Sequence, residues 1–292
     1  MKTLENKIDF VVLVSVTNAN PNGDPLNGNR PRTTYSGNGE ISDVCIKRKL
    51  RNRLQDMGER IFVQSDERCD DGFASLSDRA SKTITSYTSK EDYAAQACAQ
   101  WFDVRAFGQV FAFKKEKEKG KDKDKEKDSV SVGVRGPVSI HQALSISPVD
   151  INSIQITKSV NSETTGDGKK SSDTMGSKHM VEFGLYEIKG SINVQLAEKT
   201  GFSQEDAQKI KECLRTLFIN DSSSARPDGS MEVLRLYWWE HSNKIGQHSS
   251  AKVHKSLEIA LKDGVSYPRS ADDYTVCLTG LEGLEPEIIN GI

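Results

Sequence analysis

Cations and unencumbered backbone are the residues of this chain whose types and spacing could do chemistry. The stretch SVTNANPNGDPLNGNRPRTT, residues 15–34, sets Arg30 and Arg32 beside Asn20, Asn22 and Gly23. Main chain stripped of side-chain bulk comes close to an anion, and its N–H groups then act with the two guanidinium groups. The segment DVCIKRKLRNRL follows, with Lys47, Arg48, Lys49, Arg51 and Arg53 crowded onto a helix-like period. Like charges at i,i+4, as for Lys47 and Arg51, repel. Either that face is simply solvated, or a polyanion relieves it through phosphate contacts. His141 and His179 are candidate general bases. His241, His248 and His254 are not at i,i+3 or i,i+4, so no metal centre is expected. The phosphate-cradling GxxxxGK[ST] pattern does not occur, so P-loop chemistry is not expected.

The chain's 292 residues suffice for one large domain or two small ones with a substantial core. A formal net charge of −2 gives no overall electropositive field, so any nucleic-acid contact must be local. Five scattered cysteines without a CxxC pair predict reduced thiols of a cytosolic protein. No secretion signal is evident, and no apolar run is long enough to span a bilayer. A soluble, cytoplasmic protein without membrane partners is expected.

The elements that must hold these groups are legible in part. Ile8–Val16 alternates, with Val11 and Leu13 apolar on the opposite side, which predicts an interior strand covered on both faces. Ile46, Leu50, Leu54 and Met57 form one buried helical stripe, with Ser42 or Asp43 as cap and Gly58 past the end. Residues 64–92 are polar, serine-rich and without strong period. Residues 94–113 are apolar, helix-like in their first half. KKEKEKGKDKDKEKD, residues 114–128, holds eight lysines against six acids. It predicts a disordered charged loop whose alternating signs cancel. SVGVRGPVSIHQALSISPV reads as strand and turn, with Arg135, His141 and Gln142 beside its Gly-Pro bend. Residues 152–189 predict a long hairpin: strand-like flanks at 154–160 and 179–188 enclose a polar tip, with Met175, Lys178 and His179 on one flank. Ser203 and Asp206 predict a capping box, and residues 230–242 a strand. Arg226 lies in a serine-rich loop. Mixed strands and helices linked by hairpins predict an α+β sandwich, helices on one face of an antiparallel sheet.

Six stretches in order, NANPNGDPLNGNRPR, DVCIKRKLRN, FDVRAFG, VRGPV, TMGSKHMVEFGLY and AEKTGFS, resemble one family across residues 10–274. It is the backbone subunit of the CRISPR Cascade surveillance complex, in its type I-C form, of the RAMP superfamily. The charged run at 114–128 departs from the family pattern, and Ser177 stands where arginine is common.

The resemblance implies a modified RRM-like (ferredoxin-like) core, one palm over residues 1–292. It carries a finger or helical insertion at 59–100 and a thumb hairpin at 152–189. It implies copies stacked head to tail on CRISPR RNA, with guide segments displayed for pairing with target DNA. Other partners would be the subunit that caps or processes the CRISPR RNA 5′ end, the large and small subunits, and a helicase-nuclease that cuts the target. The chain itself would be no enzyme and need no cofactor. A guide of any sequence must be held by phosphate and sugar. The expected RNA-contacting residues are Asn20, Asn22, Gly23, Arg30, Arg32, Lys47, Arg48, Arg51, Arg135, His141, Gln142, Met175, Lys178, His179 and Arg226. An unbranched thioether such as Met175 can wedge against any unstacked base. RAFGQVFAF matches only part of the RNP1 pattern, so bases stacked on the sheet are not expected, and Phe107 and Phe111 read as core. A metal-independent RNA-processing endonuclease of the same superfamily is the rival reading.

Overall fold

A strand apolar on both sides needs cover on both faces, and β1 (Ile8–Ala19) has it. The computed structural model describes residues 2–112, 131–157 and 175–292. After β1 come β2 (Gly23–Asp24), β3 (Arg30–Pro31), β4 (Asn38–Ile41) and α1 (Asp43–Asp56). An insertion follows with α2 (Leu76–Thr83), α3 (Lys90–Gln100), α4 (Phe102–Phe107), β5 (Gly108–Ala112) and β6 (Ser131–Arg135). Next are β7 (Val138–Ile140), β8 (Ala143–Pro148), β9 (Ile151–Thr157), β10 (Met175–Ile192), α5 (Val194–Thr200) and α6 (Gln204–Arg215). The chain continues through β11 (Met231–Glu240), α7 (Ser250–Lys255), β12 (Leu257–Leu261), β13 (Tyr274–Leu278) and β14 (Glu287–Asn290).

The main sheet runs β14-β11-β1-β10-β8-β4, with β7 and β9 also paired to β10. The ladders of β1 with β10 and β11, and of β10 with β8, are antiparallel. Taken as β1-α1-β8-β10-α6-β11, the central path is the βαββαβ order of a ferredoxin-like core, the first strand flanked by the third and fourth. The fold is α+β, as the hairpin-linked pattern predicts.

One face of β1 buries Phe10, Val12 and Val14 against Ile46, Leu50 and Leu54 of α1 and Ile210 and Leu214 of α6. Burial of each such aliphatic side chain contributes roughly 1.5–3 kcal/mol. The other face packs Val11 and Leu13 with Tyr237, Trp239, Val253 and Leu257. The layer formed by α7, β12 and β13 therefore covers the surface on which an ordinary RRM stacks bases.

The insertion has a core of its own, in which Phe62, Tyr93, Trp101, Val104 and Phe111 meet. Phe111 is thus buried, and Phe107 packs at the edge of the main core. The motif FDVRAFG ties the two cores together. Buried Asp103 accepts from Phe62 N (2.7 Å), Val63 N (3.1 Å) and Arg51 Nε (2.9 Å). Arg105 clamps Asp206 through Nε (3.0 Å) and Nη2 (2.9 Å). Asp206 also completes the expected capping box with Ser203. At the exit of the insertion Gly108, at φ +81°, faces Gly136, and a Cβ on either would collide with the other segment's backbone.

The polar window 64–92 does contain a helix, α2. Ser75 caps it by accepting from Asp78 N, and Ser89 caps α3 by accepting from Asp92 N. The charged run 114–128 and the hairpin tip 158–174 lie outside the described residues.

Candidate nucleic-acid interface

The opening loop is built from its own polar side chains. Asn20 Nδ2 donates to Asn29 O (2.7 Å), while Asn22 Oδ1 accepts from both N and Oγ of Ser42 (2.9 Å each). Asn22 therefore fastens the loop to the N-cap of α1. Gly28 and Asn29 are left-handed, and a side chain at Gly23 would strike Asn29. Asn20, buried, and Gly23 act here as internal supports. β2 and β3 make the loop a small hairpin.

Its two arginines part company. Arg32 stays half-exposed, loosely paired with Asp24 at 3.5 Å. Arg30 crosses to the long hairpin, donating from Nη1 to Ser153 Oγ (2.9 Å), with His179 Nδ1 at 3.4 Å. Ser153 Oγ lies 2.9 Å from His179 Nδ1. A guanidinium only donates, so Ser153 accepts from Arg30 and passes its own hydroxyl proton toward Nδ1. The imidazole then carries its hydrogen on Nε2, a donor suited to a phosphate oxygen. Ser153 is a residue that sequence reasoning missed; the alternation of NSIQI, which sets Ser153 and Gln155 opposite Ile154 and Ile156, is the signal that marks it.

The hairpin flanks are β9 and β10, paired from Met175↔Thr157 to Val181↔Ile151. The register gives two faces. One carries Ser153, Gln155, His179, Ser177 and Met175, with Gln155 Nε2 3.3 Å from Met175 Sδ. The other carries Ile154, Ile156 and Lys178. Met175 is exposed, and Lys178 and His179 half-exposed.

The cations of α1 find partners within the protein. Lys47 binds Asp43 (3.0 Å), Arg48 donates to Val63 O (2.7 Å), and Arg51 pairs with Asp103 and lies 5.3 Å from the Phe107 ring centre. Arg53 Nε donates to Thr216 Oγ1 at 2.8 Å. Lys49, nearly fully buried, holds Asp221, which Arg226 also approaches at 3.4 Å. Burial lowers the Lys49 ammonium from its ordinary range, partly offset by Asp221. Protein carbonyls, a hydroxyl and carboxylates meet these cations in the fold. Lys47, Arg48, Arg51 and Arg226 each have a partner within the chain.

Arg135, His141 and Gln142 are exposed near the Gly-Pro bend. The His141 ring sits edge-on to buried His254 at 5.8 Å. The remaining imidazoles are dispersed. His254 Nε2 donates to Gly190 O (3.0 Å), and burial lowers its pKa from the ordinary 6.5. His248 Nε2 donates to Glu282 O (2.9 Å). His241 accepts Gln247 N–H on Nδ1 (3.0 Å) and donates from Nε2 to Asp9 (2.8 Å), which fixes a neutral tautomer. Burial alone would raise the Asp9 carboxyl, but bonds from His241 and Lys7 outweigh it and hold it below its usual value. Both side chains of that pair are sealed from solvent.

The family model described as CRISPR-associated protein Cas7 matches residues 6–279. The chain belongs to the Cas7 family. It is 28% identical over 287 residues to a CRISPR-associated protein Cas7 of Haloferax volcanii, covering 96% of this chain and 83% of that one. Among solved structures, a chain of a "CRISPR RNA-guided surveillance complex, pre-nicking" is similar at 12% identity and a TM-score of 0.48, over 89% of this chain and 84% of that one. A chain of a "CRISPR RNA-guided surveillance complex" is similar at 14% identity and 0.44, over 89% and 78%. Among the described residues of this Cas7-family chain, no helix is long and apolar enough to cross a membrane.

Proposed function

We propose that this Cas7-family chain is a repeated backbone subunit of a type I-C Cascade complex, holding CRISPR RNA without regard to sequence. The observation that carries the reading is the junction of Arg30, Ser153 and His179, where the loop and the long hairpin meet and present donors. Arg32 and Lys178 flank it, Met175 lies further out on the hairpin, and Arg135, His141 and Gln142 extend the polar surface. The covered sheet face supports it too, because it leaves backbone contact, not base stacking, as the means of holding RNA.

In this reading the guide's bases stay free to pair with target DNA. Copies follow one another along the RNA, with the 5′-end subunit, the large and small subunits and a recruited helicase-nuclease completing the assembly. The chain is a scaffold and not a nuclease. A His179 whose Nδ1 is engaged by Ser153 and whose Nε2 carries the hydrogen is set to donate, whereas a general base must accept.

Anisotropy titrations with labelled RNA of random sequence test the proposal. Affinity should fall steeply with salt and vary little between sequences. Arg30→Gln should weaken binding to all sequences alike and reduce the salt slope by about one. A flat slope, a marked preference for particular nucleotides, or shortened RNA after incubation would overturn the reading.

A further inference from the structure

Leu26 is 96% exposed, although the turn that carries it is heavily braced. Leu26 N donates to Asp24 Oδ1 (3.2 Å), Asn29 N to Asp24 O (2.8 Å), and Asn20 holds Asn29 O from below. Ordering a turn to display an apolar side chain in water gains nothing in the isolated chain, but it lowers the ordering cost of a contact made there. The loop is fastened to the N-terminus of α1 through Asn22 and Ser42. At the other end of the same helix lies a hollow of about 350 Å³. Ile61, Phe73 and Trp101 supply its apolar lining, and Asp70 stands among the polar residues around it. A helix of 14 residues spans about 21 Å, and the loop and the hollow lie at its two ends.

One pair of charges also matches across the two patches, although Arg60, bonded to Gln100, lines the hollow too. Arg32 beside the projection is only loosely held by Asp24, at 3.5 Å. Asp70 is bonded by the neutral amides of Gln55 (2.9 Å) and Gln64 (2.8 Å), which leave its negative charge uncancelled. By contrast Glu59 and Asp71, at the same hollow, are paired with Lys209 and Arg79.

We infer that Leu26 of one copy seats in the Ile61–Phe73–Trp101 hollow of the next copy, bringing Arg32 toward Asp70. Unlike patches at opposite ends make a heterologous contact, which repeats instead of closing into a symmetric pair. The inference rests on the proposed function, and it assigns the surfaces by which copies meet.

Exposed Cys69, adjacent to Asp70, provides the test. In a Cys277→Ser background that removes the other exposed thiol, Leu26→Cys is oxidised with diamide. The full chain is used, both on long random-sequence RNA and without RNA at high protein concentration. A ladder of dimers, trimers and larger species on a non-reducing gel is expected, and adding Cys69→Ser should abolish it. No ladder in either condition, or a dimer that persists without Cys69, overturns the inference. A second variant, Leu26→Asp, should keep the melting temperature and the affinity for an RNA short enough for one copy, while losing at least tenfold in cooperative binding to long RNA. Equal weakening on the short RNA would mean that Leu26 touches RNA, and would also overturn it. A Leu26→Cys protein that forms the ladder without RNA, when wild-type protein ignores RNA, would sink the RNA-holding reading and leave this one standing.

Discussion

Asp103 and Arg30 show how differently two charged residues of this chain are employed. Asp103 is 1% exposed and takes three bonds, from Arg51 and from the backbone of Phe62 and Val63. Removing it strands a largely covered guanidinium and two N–H groups, so Asp103→Ala should cost about 3–5 kcal/mol in urea unfolding. Arg30 is polar-bonded at the surface, and Arg30→Gln should leave that midpoint nearly unchanged while weakening RNA binding. His254 adds a dependence on pH. Its folded pKa lies below the 6.5 of a free imidazole, so the unfolded chain binds the proton more readily. Its neutral, buried form is tolerated above that pH, and stability is lost as pH falls through it. Melting temperatures should therefore decline between pH 7 and 5, and His254→Gln should flatten that decline.

At the scale of elements, what was legible was local. The stripe of α1, its Ser42 cap, the capping box at Ser203 and the two-sided β1 all follow from near neighbours in sequence. The same Ser-x-x-Asp signal occurs at Ser75 and Ser89, but without an apolar period to point to it the helix beginning at Leu76 was not foreseen. The cations of α1 were visible, and their partners were not. Arg51 meets Asp103, and Lys49 meets Asp221 far down the chain, pairings that only the folded topology creates. The Arg30–Ser153–His179 junction was hidden for the same reason, although two of its three members had been singled out. FDVRAFG and VRGPV turn out to be one structural joint, closed by Gly108 against Gly136. Gly136→Ala should overpack that crossing and lower stability by about 1–3 kcal/mol, measurable by thermal melting.

For the whole molecule, a near-neutral chain that holds a polyanion must do so with a patch, and the sheet's second face is already spent on its own C-terminal layer. Gel filtration with and without RNA should then show open-ended species whose size follows RNA length, and a single closed dimer would contradict that arrangement. The ladder between β5 and β6 has a separate practical meaning. Ala112 and Ser131 are directly paired, so the two open ends of that ladder lie side by side. Such a doorway tolerates foreign cargo: a fluorescent domain with neighbouring termini, spliced in place of residues 113–130, should leave guide loading intact and turn each copy on a strand of RNA into a countable beacon.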